Sequence, residues 1–375
     1  MSLSWREDGP PDAPALVLLN SVGSTTEMWT PLLAALAEQF RVLRIDWRGH
    51  GRSAPSPTGT PCEIADLGAD VLAVLDELRL ERVHVAGLSL GGMTGMWLAI
   101  HRPQRISRLA LLSTSAYLQP VPGYLDRAAV VRAGGMATVV DAVVARWITP
   151  DLAGRDPELE ASLKGIVASI DPESYAQCCE AIGTMDQRAE LGRIAAPTLC
   201  IAGAQDPATP PEHLQLIVDG VAGARLEILD HAAHVLSFEQ PGRVAQLLLE
   251  HFRGGATRDA GNASRRAVLG DEHVDRAVAG TTAFTAAFQD FITRYAWGDV
   301  WTRPGLGRRE RSIATLAALV TLGAEHELAM HVRGALRNGL SAEEIGEVLL
   351  HTAVYSGLPR ANRAVAIANE VLAGD

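Results

Sequence analysis

Apolar and polar positions follow two regimes along this chain. Up to about residue 250, short apolar and β-branched runs recur: Ala15–Asn20, Val42–Asp46, Val83–Gly87, Leu109–Ser113, Thr198–Gly203 and Arg225–Leu229. Amphipathic stretches such as Pro31–Gln39, Ile64–Leu78 and Gly91–His101 lie between them. Near-continuous apolar strands alternating with helices predict a parallel sheet covered on both faces. Between about Ser115 and Ala196 the strand signal stops and the pattern is helical. A helical segment inserted between two strands of such a sheet is expected to form a lid.

The second regime begins after "RGGATRDAGNASRR" at residues 253–266, which has no periodicity and reads as a linker. Beyond it only helical spacing is found, with helices expected at Thr281–Tyr295, Arg308–Leu322, Glu325–Asn338, Ala342–Tyr355 and Pro359–Ala373. Ser341 followed by Glu344 is a capping box, and Gly339 and Gly357 stand where C-terminal caps belong. The expected organisation is an α/β domain over 1–252 with a lid at about 115–196, a linker over 253–266, and an all-α domain over 267–375.

A chain of 375 residues agrees with two domains. The four cysteines, Cys62, Cys178, Cys179 and Cys200, form no C-x-x-C pair, which argues against zinc, redox work and a disulfide framework. The net charge of −11 disfavours nucleic acid or an anionic membrane as partner. The start carries no signal-peptide pattern and no run is apolar enough to cross a membrane, so a cytoplasmic address is expected.

Candidate chemistry in the first domain begins at Gly87-Leu88-Ser89-Leu90-Gly91, a G-x-S-x-G motif with a strand before it and a helix after it. A sharp strand-to-helix turn strains the serine, and flanking glycines let neighbouring backbone pass without a Cβ clash. The alternative, a buried capping serine, has less to recommend it in that context. A serine hydroxyl needs a base and a group to orient the base. In this topology these follow in the order acid, then histidine. Asp206 comes just after strand Thr198–Gly203, and "DHAAHV" at 230–235 follows strand Arg225–Leu229. Asp206 and His234 are the favoured partners of Ser89, with His231 competing as base and Asp230 as orienter. The oxyanion hole is expected from the Leu90 amide plus the Ser21 or Val22 amide in the loop after the first of these strands. The glycine-rich "DWRGHGRS" at 46–53 lacks phosphate-loop spacing and reads as a structural turn.

These residues resemble the α/β-hydrolase superfamily over about 1–252. "LLNSVGSTTEMW", "DWRGHGRS" and "AGLSLGGMTGMWLA" are similar to bacterial β-ketoadipate enol-lactone hydrolases, in which Asn-Ser stands where many lipases carry His-Gly, as Asn20-Ser21 does here. The resemblance implies lactone opening through an acyl-serine. Trp147 and Arg132 are candidate lid contacts to the substrate.

The second domain sets Glu310, His331, His351 and Tyr355, with several arginines, on otherwise apolar helices. A lone histidine there is more often a satisfied core group than a catalyst. The run from Val300 to Val371, however, resembles γ-carboxymuconolactone decarboxylases of the alkylhydroperoxidase-like superfamily. Thiol-bearing relatives carry C-x-x-C ahead of the histidine; here Ala324 and Glu327 precede His331, which removes disulfide and peroxide chemistry. His331 matches the superfamily histidine and Glu310 is assigned to its glutamate. Decarboxylation needs no metal and no electron-sink cofactor here, because the departing carboxylate lies one double bond removed from the lactone carbonyl, which takes up the electron pair. It needs a proton donor, for which His331 is suited, and cations for a second carboxylate, with Arg303, Arg309 and Arg333 as candidates. His351 faces either the pocket or an interface.

Together the two resemblances imply a bifunctional enzyme of aromatic-acid breakdown. Its second domain would decarboxylate the lactone and its first would hydrolyse the resulting enol-lactone. Small-molecule lactone carboxylates are the expected ligands, and a homo-oligomer built on the helical domain is expected. The competing reading is a general carboxylesterase fused to a non-catalytic helical oligomerisation module.

Overall fold

The computed structural model describes residues 3–59, 61–118, 122–303 and 305–373, without the side chains of residues 122 and 254–259. The chain divides into two compact units, Met1–Phe252 and Arg253–Asp375.

Unit one is a sheet of seven strands: β1 (Trp5–Asp8), β2 (Ala15–Leu19), β3 (Arg41–Ile45), β4 (Val83–Leu88), β5 (Ile106–Leu112), β6 (Thr198–Gly203) and β7 (Arg225–Leu229). Their order is β1-β3-β2-β4-β5-β6-β7. All neighbours are parallel except β1, which pairs antiparallel with β3. The six apolar runs read from the sequence are β2 to β7, with ends displaced by up to three residues. Strand β1 carries the sequence WRED and gave no apolar signal. It is an edge strand fixed by charge: Arg44 of β3 lies 2.8 Å from Asp8, and Arg41 lies 2.7 Å from Glu7.

The central strands β4 and β6 are buried at every position, so the sheet is sandwiched between helices and delivers its loops to one edge. Among the described residues, five lid helices connect β5 to β6: Pro122–Gly134, Val140–Trp147, Pro150–Arg155, Pro157–Ala168 and Pro172–Thr184. Three of them start with proline behind a capping Thr149, Asp156 or Asp171 side chain, the local chemistry that sets helix starts.

The stretch expected to be a linker is helical instead, within a helix that runs Pro241–Leu269. It lacks apolar periodicity, but it also lacks proline, and its alanines and arginines are strong helix formers. Its later part packs into the second unit. Ser264 and Arg265 are buried, and a Cβ at Gly261 would fall 2.1 Å from the Thr293 carbonyl.

In unit two the helices Arg308–Leu322, Glu325–Arg337, Ala342–Ser356 and Leu358–Ala373 surround a core that includes Leu316, Val332, Ile345 and Leu349. The helix expected at Thr281–Tyr295 is shorter, Ala286–Ile292, and continues as a π-helical turn over Thr293–Val300. A further helix, Asp271–Ala279, was not foreseen.

Candidate active sites

Ser89 sits between β4 and helix Leu90–His101 with φ 56° and ψ −115°, the strained left-handed turn a nucleophile elbow requires. The strain is held from both sides. Ser89 N–H donates to the Leu112 carbonyl at 3.0 Å, and the Thr114 hydroxyl donates to the Ser89 carbonyl at 2.7 Å. A Cβ at Gly91 would meet the Leu19 carbonyl oxygen at 2.1 Å, and one at Gly87 would meet the Gly91 carbonyl oxygen at 2.2 Å. No side chain fits at either position.

His234 Nδ1 lies 2.8 Å from Asp206 Oδ2, and both side chains are buried. The Thr209 hydroxyl donates to the same Oδ2 at 2.8 Å, while the Ala208 and Thr209 amides donate to Oδ1. Burial works against the Asp206 carboxylate, but the attraction of His234 and these donors hold its pKa down at about 2. An ionised Asp206 keeps the His234 proton on Nδ1, which leaves Nε2 as the acceptor. His234 and Ser89 line one cavity. The competitors are elsewhere. Asp230 and His231 are exposed, and His231 lines a different depression with Asp151 and Arg155.

Ser21 and Val22 also line the Ser89 cavity. The Ser21 amide is engaged, donating to Met28 Sδ at 3.4 Å, whereas among the described residues no acceptor takes the Val22 amide. Leu90, first in its helix, presents an N–H that the helix itself leaves open. Val22 and Leu90 are therefore the better placed pair.

The loop that carries Val22 is held by the segment at 46–53, read from the sequence as a structural turn. His50 Nε2 accepts the Gly23 amide at 3.0 Å, and its Nδ1 lies 2.8 Å from the Arg48 carbonyl. Complete burial pushes its pKa down to about 4, so the ring stays neutral. Asp46 Oδ1 takes the Thr26 amide at 2.8 Å, and the Trp47 indole donates to the Asn20 carbonyl at 2.8 Å. The segment at 46–53 is scaffold for the oxyanion loop.

Of the two candidate lid contacts, Trp147 lines the cavity. Arg132 does not. It is bound to Glu173 and Glu180 and lines a separate depression. Arg127 and Arg146 line the cavity instead.

In unit two, His331 stacks on Trp297 with ring centroids 6.4 Å apart and planes 8° from parallel. Burial holds its pKa below 6.5; the Glu327 carboxylate pulls it back up, and His273 pushes it further down. Glu327 is one turn before His331 on the same helix, a face-sharing spacing. Glu310 is exposed in the first turn of its own helix, its carboxylate folded toward Gly307. Among the described residues no hydrogen bond or ion pair joins it to His331. Arg309 is not free to clamp a substrate: it binds Glu344 and donates to the Gly339 carbonyl. Arg303 and Arg333 are exposed, as is His351, which packs against Tyr355 at 5.4 Å between centroids.

Comparison with known proteins agrees with this geometry. The family model for the alpha/beta hydrolase fold matches residues 14–160, and that of the carboxymuconolactone decarboxylase family matches residues 286–370. 3-Oxoadipate enol-lactonase 2 of Acinetobacter baylyi is 37% identical over 241 residues, 64% of this chain and 89% of the relative. 4-Carboxymuconolactone decarboxylase of the same organism is 48% identical over 107 residues, 28% of this chain and 80% of the relative. The crystal structure of the enol-lactonase from Burkholderia xenovorans superposes with a TM-score of 0.65 at 38% identity, covering 67% of this chain and 96% of that one. The chain belongs to the α/β-hydrolase family, in its enol-lactonase group, through its first unit and to the carboxymuconolactone decarboxylase family through its second.

Proposed function

We propose that the protein is a bifunctional enzyme carrying out two consecutive steps of the β-ketoadipate pathway. The second unit decarboxylates 4-carboxymuconolactone, and the first hydrolyses the resulting 3-oxoadipate enol-lactone to 3-oxoadipate. The observation that carries the reading is the strained Ser89 beside a buried Asp206–His234 pair, in a unit that spans most of an enol-lactonase and is followed by most of a decarboxylase.

In the first unit, Ser89 Oγ attacks the lactone carbonyl as His234 Nε2 takes its proton. The Val22 and Leu90 amides receive the oxyanion. Collapse breaks the ring ester bond and expels an enolate, which becomes the ketone on protonation. Water, deprotonated by His234, then releases the acid from the acyl-serine. The enolate is a weakly basic leaving group and asks little acid assistance.

In the second unit, the C–C bond to the carboxylate breaks and its electron pair moves through the adjacent double bond into the lactone carbonyl. Carbon dioxide leaves, and the dienolate takes a proton at carbon from His331, with Glu327 tuning that ring. His331 is half-buried against Trp297, which supports this role.

The helical unit leaves Phe284 95%, Val354 79% and Tyr355 76% exposed, which favours a homo-oligomer built through it. The four free, buried cysteines fit a reducing, cytoplasmic compartment.

The test supplies 4-carboxymuconolactone to the full chain and follows carbon dioxide and 3-oxoadipate. Ser89→Ala is expected to stall at the enol-lactone, and His331→Ala to stop before carbon dioxide appears. Formation of 3-oxoadipate by Ser89→Ala at the wild-type rate removes the hydrolase assignment. Ester hydrolysis without any carbon dioxide release leaves a general esterase.

A further inference from the structure

The cavity over Ser89 holds two guanidinium groups and no carboxylate. Arg127 comes from lid helix Pro122–Gly134 and Arg146 from lid helix Val140–Trp147. Other arginines of this region are committed: Arg132 to Glu173 and Glu180, Arg188 to Asp186, Arg193 to Glu190. Among the described residues neither Arg127 nor Arg146 pairs with an acidic side chain. Arg127 instead lies over the Tyr124 ring, its guanidinium carbon 4.7 Å from the centroid, which fixes the side chain while leaving its donors unpaired by any anion.

Two neutral groups on the same walls also lack well-formed partners. The Ser21 hydroxyl is buried without a hydrogen bond, and the Tyr175 hydroxyl is buried with no well-formed one, standing beside the Arg127 guanidinium; both residues line the cavity. Burial raises the Tyr175 phenol well above its usual pKa, so it remains a donor. Buried polar atoms are ordinarily satisfied, and a set of orphans around one cavity marks where a ligand's own polar atoms belong. Two unpaired cations in a chain of net charge −11 say which sign that ligand carries.

We propose that Arg127 and Arg146, with the Tyr175 hydroxyl, bind the free carboxylate of a small monoanionic ester or lactone and so set its carbonyl against Ser89. For the enol-lactone this carboxylate is the one at the end of its acetate arm, and that identification rests on the function proposed above. The pair acts as a specificity determinant: it selects the acid over its neutral ester. The reach of a guanidinium fork suits a carboxylate, and its contribution falls mainly on KM because the carboxylate is unchanged through the reaction.

The experiment uses the full chain and two probe pairs: enol-lactone against its methyl ester, and monomethyl glutarate against dimethyl glutarate. The quantity read is the ratio of kcat/KM for the anionic member to that for the neutral one. In Arg127→Met and Arg146→Met this ratio is expected to fall about tenfold to hundredfold, chiefly through KM. Arg127→Lys and Arg146→Lys, which keep the charge but lose the fork, are expected to give intermediate ratios, and they stand in should a methionine variant not fold. Ratios that stay at the wild-type value in all four variants overturn the proposal. Failure of the wild type on the enol-lactone, together with an arginine-dependent preference for monomethyl glutarate, overturns the lactone reading and keeps the carboxylate site.

Discussion

Asp206 grips His234 through a 2.8 Å contact from Oδ2 to Nδ1, while Thr209 and two backbone amides hold the carboxylate itself. The carboxylate is thus fixed before it fixes the ring, and the imidazole can present only Nε2 to the cavity. Asp206→Asn keeps the shape but offers the ring a donor where it needs an acceptor, which turns the tautomer over. Lactone hydrolysis is expected to fall about a thousandfold to ten-thousandfold in kcat. Steady-state kinetics on the enol-lactone check it. A variant within tenfold of the wild type means that Asp206 is not the orienting group.

The elbow predicts a contrast between two glycines. A methyl at Gly91 collides with the Leu19 carbonyl at 2.1 Å, so backbone of β2 or the helix has to move. Gly91→Ala is expected to cost roughly 1–3 kcal/mol. Gly165, inside helix Pro157–Ala168, has nothing within 4 Å of its missing Cβ, and Gly165→Ala is expected to gain up to about 1 kcal/mol. Thermal melts of both variants read opposite signs. Equal melting temperatures for the two contradict the packing at the elbow.

Three buried histidines give unit one an acid sensitivity of definite sign. Burial lowers His50 and His84 to about 4 and His251 to about 3, against 6.5 for an ordinary ring. The unfolded chain therefore binds more protons than the folded one between pH 6.5 and these values. Stability is complete above pH 6.5 and declines as pH falls through this window, by roughly 2 kcal/mol per ring at pH 5. His84 allows a clean check, because its Nδ1 has no hydrogen bond and its ring packs against Phe40 and Phe252 at 5.9 and 5.2 Å. His84→Phe is expected to reduce the pH dependence of the urea midpoint between pH 7 and 5 by about one proton. An unchanged dependence rules out His84 as a contributor.

What was legible in the sequence follows from what leaves a local signature. Strands β2 to β7 were visible because a sheet buried on both faces demands apolar runs. Strand β1 was not, since its positions are earned by ion pairs to Arg41 and Arg44 rather than by burial. Ser89 was visible because the elbow demands glycines in fixed positions, and Asp206 and His234 because the topology puts their loops at the same sheet edge. Arg127 and Arg146 had no such signature. The lid helices are weakly patterned, and which arginines face inward depends on carboxylates such as Glu173 and Glu180, which occupy Arg132. For the same reason no local pattern announces the pairing of Arg309 with Glu344, 35 positions away.

The helical unit separates two glutamates. Glu327 shares a helix face with His331 and raises its basicity, partly offsetting the burial and the His273 charge that lower it. Glu310 lies exposed over Gly307. Removing the Glu327 charge takes away the only one of the three influences that favours the imidazolium. Glu327→Gln is therefore expected to move the histidine limb of the pH–rate profile for carbon dioxide release to lower pH, and to slow release about tenfold at pH 7 because less imidazolium is present to donate. His273→Asn is expected to move the same limb upward. Glu310→Gln is expected to leave the limb in place and the rate within about threefold, since no contact links it to the ring. His331→Ala, lacking the donor itself, is expected to lose about a hundredfold or more. A limb that shifts in Glu310→Gln and stands still in Glu327→Gln would mean that the assembled enzyme brings Glu310 to His331 in a way the single chain does not.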